Sequence, residues 1–320
     1  MTSTSGLHHV TAISGPAQEN LDFYSGVLGM RLVKKSVNQD DPGTYHLFYA
    51  DAAGHPGTDL TFFPWAHHAP ARLGHGLAVE VTLEAPPSSL EFWADRLARY
   101  GAPVSAIEHR FGRRALPLTD PHGMRLALVE GAEAPDRAFA PWEESPVAAE
   151  RQIRGLEGAR LWERELASTA AFLTAVMGFH AAGAEDGWTR FAVGAGGAGE
   201  HLDLREAPES PRGAWGVGGI HHLAWRVEDE ARQLALRQAV EDAGRRPTEV
   251  IDRFWFRSVY FLEPGGVLFE LATDGPGFQV DESPEHLGET LVLPPWLEGD
   301  RGAIEAVLPA LSPPRSAPVR

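Results

Sequence analysis

The sequence predicts an α+β fold made of four copies of one strand–helix–strand unit, and three observations support this. Weak self-similarity begins near Leu7, His75, Leu156 and Ile220. Each unit opens with a short apolar strand, passes into a helix, and closes with two or three strands, the last carrying a Gly-rich turn and an apolar run. Between the second and third units, residues 131–152 are rich in Ala, Pro and Glu and show no clean period, which reads as a linker. The expected organisation is a domain at 1–130 holding units one and two, a linker at 131–152, a domain at 153–274 holding units three and four, and a proline-rich tail at 275–320.

Unit one has a helix from Ala17 to Leu28, with Leu21, Tyr24, Val27 and Leu28 at helical spacing and Gly29 past its end. Strands are expected at Arg31–Val37, Tyr45–Ala50 and Asp59–Phe63. In unit two, Pro86-Pro87-Ser88 precedes a helix from Ser89 to Tyr100, and Gly112–Pro117 with Met124–Val129 reads as a hairpin. Its turn, Asp120-Pro121-His122-Gly123, reads as turn chemistry rather than a site. In unit three, Ser168 is positioned to cap a helix over Thr169–Met177. Gly194–Gly199 lacks the spacing and following helix of a phosphate loop, so it is read as a hairpin loop. Unit four has a helix near Glu228–Ala243 and strands near Pro247–Asp252, Ser258–Leu262 and Val267–Ala272. The tail carries one helix at Arg301–Leu308, is expected to pack over the second half, and is expected to fray at its last few residues.

Composition excludes several functions. The 28 Lys and Arg against 44 Asp and Glu give a formal charge of −16, which disfavours nucleic acid and anionic membrane as partners. With no cysteine, thiolate metal sites, disulfides and a Cys nucleophile are ruled out, so any metal must use nitrogen and oxygen ligands. Met1-Thr2-Ser3-Thr4-Ser5 does not resemble a signal peptide, and no apolar run approaches a membrane span, so a cytoplasmic location is expected.

Two stretches carry the chemistry. Gly6-Leu7-His8-His9-Val10-Thr11 opens unit one, and Gly218-Gly219-Ile220-His221-His222-Leu223 opens unit four. Matching Leu28-Gly29-Met30 to Met177-Gly178-Phe179, a shift of 149 residues, puts His9 on Gly158. Matching Leu77-Ala78-Val79 to Leu223-Ala224-Trp225 puts His222 on Gly76. Units one and four would thus carry histidine where units two and three carry glycine. The turn of unit four, Glu263-Pro264-Gly265-Gly266, leads to Glu270, whose match in unit two is Ala127 and in unit one is Thr61 or Phe62. We read His9, His222 and Glu270 as ligands to one metal ion, because two imidazoles and a carboxylate fill one face of an octahedron and leave positions open for substrate and O2.

The phrases Leu7-His8-His9-Val10-Thr11, Leu21-Asp22-Phe23-Tyr24 and Leu28-Gly29-Met30 resemble the vicinal oxygen chelate superfamily. More narrowly, the doubled histidines, the Arg253-Phe254 to Tyr260 stretch, the Glu270 segment and Leu287-Gly288…Leu293-Pro294 resemble ring-cleaving dioxygenases that act on hydroquinones. This likeness covers nearly the whole chain. It implies four βαβββ modules paired into two half-barrels, with Fe(II), or Mn(II) as the alternative ion, held between modules one and four by His9, His222 and Glu270. It also implies neighbouring polar roles for His8, Thr11, His221, Arg253 and Tyr260. His8 and His221 would point away from the ligands in a regular strand, and would reach the site only through a bulge or by orienting the ligands. Arg253 suits a developing negative charge, and Tyr260 suits a hydrogen bond or proton transfer.

The expected activity is Fe(II)-dependent, extradiol-type ring cleavage of a hydroquinone or catechol by O2, in aromatic catabolism or quinone detoxification. The expected partners are a small aromatic substrate and O2, and a homo-oligomer is compatible with the sequence. Two rival readings are a glyoxalase-like lyase or thiol transferase, which would call for a second carboxylate, and a non-enzymatic small-molecule binder, which would need no metal. His67, His68 and His75 read as solvated loop, and Trp65, Trp142, Trp215, Trp255 and Trp296 are candidates to line a pocket, with core packing the preferred reading. His46 has no partner pattern and is given no role.

Overall fold

The computed structural model describes residues 3–134 and 137–315, so the expected fraying of the last few residues lies outside the described residues. Module one comprises β1 (Leu7–Ser14), α1 (Ala17–Leu21), β2 (Arg31–Asn38), β3 (Asp41–Ala50) and β4 (Asp59–Pro64). Module two comprises β5 (Leu77–Ala85), α2 (Leu90–Arg99), β6 (Glu108–Arg110), β7 (Arg113–Thr119) and β8 (Arg125–Glu130). Module three comprises β9 (Gly155–Glu163), α3 (Leu166–Phe172), β10 (His180–Glu185), β11 (Trp188–Ala192) and β12 (His201–Glu206). Module four comprises β13 (Ile220–Val227), α4 (Glu230–Asp242), β14 (Ile251–Asp252), β15 (Arg257–Leu262) and β16 (Leu268–Thr273).

The strands form two eight-stranded sheets, ordered β14-β15-β16-β13-β1-β4-β3-β2 and β10-β11-β12-β9-β5-β8-β7-β6. Within each module the first strand runs parallel to the last, and modules join through antiparallel pairing of their first strands, β1 with β13 and β5 with β9. Each sheet therefore takes one module from each side of the 131–152 linker. Modules one and four share one curled sheet, and modules two and three share the other. β1 is buried along its whole length because both of its neighbours are strands and both of its faces are covered.

Helices cover the outer faces. On α2, Leu90, Trp93 and Leu97 are buried at helical spacing. On α4 the buried stripe is Gln233, Leu236 and Val240. The Gln233 amide donates to the carbonyls of Arg257 and Leu271, both at 2.8 Å, and so ties β15 to β16. The helix expected over Ala17–Leu28 is α-helical only to Leu21 and widens into a π-helix over Asp22–Val27. Module three, which carries none of the candidate ligands, repeats this, with α3 passing into a π-helix over Leu173–Met177, so the widening is not tied to the site.

Four expectations need correction. Ser168 is not the cap of α3: the helix starts earlier, and the Glu165 side chain accepts from the Ser168 N–H at 2.9 Å. Only Ile251–Asp252 pair as β14. Pro247 has no N–H to offer, and Thr248 meets Tyr260 partly through its hydroxyl, which accepts from the Tyr260 N–H at 3.0 Å. The tail packs over module one as well as over the second half, where the Trp255 indole donates to Asp281 at 3.0 Å and Phe278 and Trp296 meet the rings of Trp255 and Phe254. Arg31 donates to the carbonyls of Pro284 and Glu285, both at 2.9 Å, and the fully buried Lys34 ammonium pairs with Asp281 at 2.6 Å and Glu282 at 2.5 Å. A buried ammonium requires such partners, and only the tail supplies them.

The fourth correction concerns the match of His222 to Gly76. Under the 149-residue shift Thr11 falls on Arg160; Thr11 pairs with His222 across β1 and β13, and Arg160 pairs with Glu80 across β9 and β5. The counterpart of His222 is therefore Glu80. The similarity of Leu77-Ala78 to Leu223-Ala224 misaligns the strand by four residues, since 80 − 76 = 4. The match of Glu270 to Ala127 agrees with the strand pairing, as Ala224 pairs with Glu270 and Thr82 with Ala127.

Candidate metal centre

The first sheet brings together three side chains from distant parts of the sequence. His9 lies on β1, His222 on β13 and Glu270 on β16, three adjacent strands. All three side chains are buried. The Nε2 atoms of His9 and His222 are 3.3 Å apart, and Glu270 Oε2 lies 3.3 Å from the first and 2.9 Å from the second. Among the described residues this is the one cluster of His, Asp and Glu able to hold a metal ion. At metal–ligand bonds of ~2.1 Å, neighbouring donors on one ion lie roughly 3 Å apart, so all three could share one face of an ion.

The residues behind the triad fix its orientation. A register shift lies between Leu7 and His9 in the β1·β13 pairing, so simple alternation fails at His8. His8 Nδ1 meets His9 Nδ1 at 2.9 Å, and His221 Nδ1 meets His222 Nδ1 at 2.8 Å. When each inner histidine carries its proton on Nδ1, its Nε2 presents a lone pair to the centre. Ser258 on β15 donates to Glu270 Oε1 at 2.5 Å, while Glu270 Oε2 is buried without a hydrogen-bond donor. Three lone-pair-bearing atoms converging in a buried space repel one another unless a cation lies between them, so the donor set fits a metal ion.

Electrostatics agree with this. Burial opposes ionisation of Glu270, but positive charge beside it at His9 and His222 outweighs burial and holds its carboxyl well below the usual range, and a metal ion between neutral imidazoles would supply that positive charge instead. Burial, reinforced by the neighbouring His222, lowers His221 to about 3. Burial also lowers His8, with His9 adding to the effect, and lowers His46, with His9 and His222 adding to it. These three rings are neutral near pH 7.

A narrow cavity opens from the triad. Its polar lining includes His46, Asp40, Arg253 and Tyr260, and its apolar lining is Phe48, Phe63, Trp255 and Phe256. Arg253 and Trp255 come from the turn between β14 and β15, where Phe254 takes φ +74°, a left-handed conformation uncommon for a bulky residue. The Arg253 guanidinium pairs with Asp40 at 2.8 Å, closing the cavity mouth against the β2–β3 turn. Burial disfavours the Arg253 charge, but Tyr260 and Asp40 reverse the balance and raise its pKa. Burial and the Glu270 charge push the Tyr260 phenol up, against the pull of Arg253, so it remains a proton-bearing donor.

Of the sequence candidates, His8, His9, His221, His222, Glu270, Arg253 and Tyr260 all converge at or beside the cavity. Thr11 sits one layer back, its hydroxyl 2.7 Å from that of Thr61. Pairing also settles the choice between Thr61 and Phe62. Glu270 pairs with Ala224, two residues after His222, and Thr61 pairs with Thr11, two residues after His9. The unit-one counterpart of Glu270 is thus a threonine. Sequence reasoning missed Ser258, His46 and the apolar walls. His46 and Phe48 alternate along β3, as residues on one face must, which was the available signal. Trp255, read as core packing, is buried and also lines the cavity. His67 and His68 are exposed, as expected of a solvated loop.

Residues 6–128 and 156–271 match the family model described as the Glyoxalase/Bleomycin resistance protein/Dioxygenase superfamily. The chain belongs to this superfamily. Two superfamily relatives align over almost their full length. "Putative ring-cleaving dioxygenase MhqO" of Bacillus subtilis is 42% identical over 94% of this chain and 95% of its own. "Chlorohydroquinone/hydroquinone 1,2-dioxygenase" of Sphingobium indicum is 34% identical over 92% of each. A crystal structure of a "putative dioxygenase" from Bacillus subtilis superposes with a TM-score of 0.91 at 40% identity, covering 98% of this chain and 99% of that one. Glyoxalase I from Zea mays shares the fold at 14% identity, with a TM-score of 0.63 over 84% of this chain and 92% of that one.

Proposed function

We propose that this superfamily member is a cytoplasmic, Fe(II)-dependent, extradiol-type dioxygenase that opens the ring of a hydroquinone or catechol. The supporting observation is the asymmetry of the ligand set: His9, His222 and Glu270 converge, while the position matched to Glu270 in module one holds Thr61. A glyoxalase-like centre with a second carboxylate would need an acid there. The names of the relatives above point the same way.

When bound, Fe(II) supplies the one-electron chemistry that lets a closed-shell aromatic diol react with O2. The protein's part is positional and electrostatic. His9, His222 and Glu270 would hold the ion, with His8 and His221 fixing the imidazole tautomers and Ser258 fixing the carboxylate. Phe48, Phe63, Trp255 and Phe256 would sandwich the ring and keep bulk water out. Tyr260 would hydrogen-bond a substrate oxygen and hold a proton for it. Arg253, over the Tyr260 ring at 5.4 Å, would favour a negatively charged oxygen in the cavity. The ring would open beside a hydroxylated carbon with both atoms of O2 retained in the product.

The test is metal analysis of the purified protein followed by oxygen uptake with hydroquinone and with catechol. The expected result is bound iron and one O2 consumed per ring opened. Lyase turnover without oxygen consumption would overturn the proposal, as would substrate affinity unchanged by metal removal together with no turnover.

A further inference from the structure

The turn between β14 and β15 gives Arg253, Trp255 and Phe256 to the cavity wall, with the left-handed Phe254 among them. Phe256 also packs against the rings of His8 and His9, with centroids 5.2 Å from each. A turn in so uncommon a conformation keeps its shape only where its surroundings hold it. The tail does so at one residue. The Gly277 N–H donates to the Trp255 carbonyl at 2.8 Å, and the Trp255 indole N–H donates to Asp281 Oδ2 at 3.0 Å. Trp255 is gripped both at its backbone and at the edge of its ring.

The other oxygen of Asp281 faces module one. Asp281 Oδ1 pairs with the buried Lys34 ammonium at 2.6 Å, and that ammonium lies 5.4 Å from the centroid of the Trp255 ring. One carboxylate therefore joins β2 of module one to the cavity turn of module four. Phe278, three residues earlier in the tail, backs the same wall by meeting Phe48 edge-on at 5.2 Å. Hydrogen bonds are directional, so an indole N–H held by a fixed carboxylate has the plane of its ring set. Glu282 pairs with the same ammonium at 2.5 Å, and among the described residues it hydrogen-bonds only there. The two neighbouring acids share the neutralisation of Lys34, and of the two only Asp281 reaches the indole.

We infer that Asp281 is a positioning residue for the cavity: by holding the Trp255 indole it sets the plane of the aromatic wall and the turn that carries Arg253 and Phe256. The tail is then part of the binding site and not a cover over it. The inference rests on the proposed reading in taking the cavity to receive an aromatic ring, and goes beyond it in assigning a residue that lies outside the cavity lining.

The test is a double-mutant cycle read by anaerobic binding of hydroquinone to the Fe(II)-loaded protein, with metal content and thermal stability measured for every variant. Asp281→Ala should weaken hydroquinone binding roughly 3- to 10-fold, the range for loss of one hydrogen bond, with bound metal unchanged. Trp255→Phe, which keeps a ring but removes the donor, should weaken it by at least as much. Adding Asp281→Ala to Trp255→Phe should then cost nothing further, because both changes remove one contact. Glu282→Ala should lower stability about as much as Asp281→Ala and leave affinity at the wild-type value. Equal losses of affinity in the Asp281 and Glu282 variants would overturn the assignment, as would additive losses in the cycle or full affinity in Trp255→Phe. Should Asp281→Ala alone not fold, the same cycle in a Lys34→Met background leaves no buried ammonium unpaired. Oxygen uptake separates this from the parent reading. A wild type that shows the coupling but consumes no O2 refutes the dioxygenase and not the positioning role, whereas a wild type that does not bind hydroquinone overturns both.

Discussion

Glu163, at the end of β9, should give the protein a measurable pH signature away from the metal centre. Its side chain is fully buried, and neither carboxyl oxygen has a hydrogen-bond partner among the described residues. Glu263 beside it already takes the Thr169 hydroxyl at 2.7 Å and the N–H groups of Gly265 and Val267 at 2.8 Å. Burial first, and the charge of Glu263 second, push Glu163 up to about 9, against a smaller pull from Arg212. The folded state therefore keeps a proton that the unfolded chain releases above about pH 4.3. The associated stability is complete below that pH and is lost as pH rises towards 9, at about 1.4 kcal/mol per pH unit. Between pH 6 and pH 8 the loss is about 2.7 kcal/mol, or roughly 4–6 °C in midpoint for a chain of this size. Glu163→Gln keeps the shape and removes the proton linkage. Thermal unfolding at pH 6, 7 and 8 should show wild type falling behind the variant by that margin. Parallel curves over this range would refute the buried-acid account and would mean that Glu163 is ionised in both the folded and the unfolded chain, with Arg212 as its counter-charge.

Three further outcomes follow from the proposed centre. His9→Ala, His222→Ala and Glu270→Ala should each lower bound metal and oxygen uptake together, by more than about 100-fold in affinity; retained metal in any of them, by elemental analysis, would remove that residue from the ligand set. Ser258→Ala frees Glu270 Oε1 and should weaken metal binding about 10- to 100-fold in a chelator competition titration, with the fold intact by circular dichroism. Tyr260→Phe should keep the metal and slow turnover by a factor on the order of 100 or more; unchanged turnover would reduce Tyr260 to a wall residue.

The repeat pattern made the modules legible, because each first strand is an apolar run that ends in a helix with glycine after it. The triad was legible because doubled histidines recur in matched strands. What stayed hidden depended on strand pairing. Leu77-Ala78 and Leu223-Ala224 look alike but sit four residues apart in the real register, so Gly76 took the place of Glu80 in the comparison. His46 has no sequence partner because the residue that holds it, Thr61, is fifteen positions away on the next strand. The tail's docking on module one turns on Lys34, whose burial is set by neighbours on other strands and whose acidic partners lie 247 and 248 residues away. Propensity carries no information about contacts of that kind.

The two sheets solve the same interior problem in opposite ways. In the second sheet, the positions matched to His9, His222, Glu270 and Thr61 are Gly158, Glu80, Ala127 and Asp203. Their acids are neutralised from within the protein: Arg110 meets Glu80 at 2.5 Å, and Arg190 meets Asp203 at 2.7 Å. Arg160 packs between them, 3.7 Å from Glu80 and 3.4 Å from Asp203. In the first sheet no Lys or Arg among the described residues forms an ion pair with Glu270; its close partners are two imidazoles and a serine hydroxyl. Charge buried in one sheet is matched by arginines, and in its twin it is left for something the chain does not encode. A buried carboxylate with no permanent counter-charge, only imidazoles that must take up a proton to offset it, is costly to keep ionised, and a cation bound from solution removes that cost. The contrast between duplicated halves of one polypeptide thus argues for a metal at His9, His222 and Glu270 independently of any likeness to other proteins.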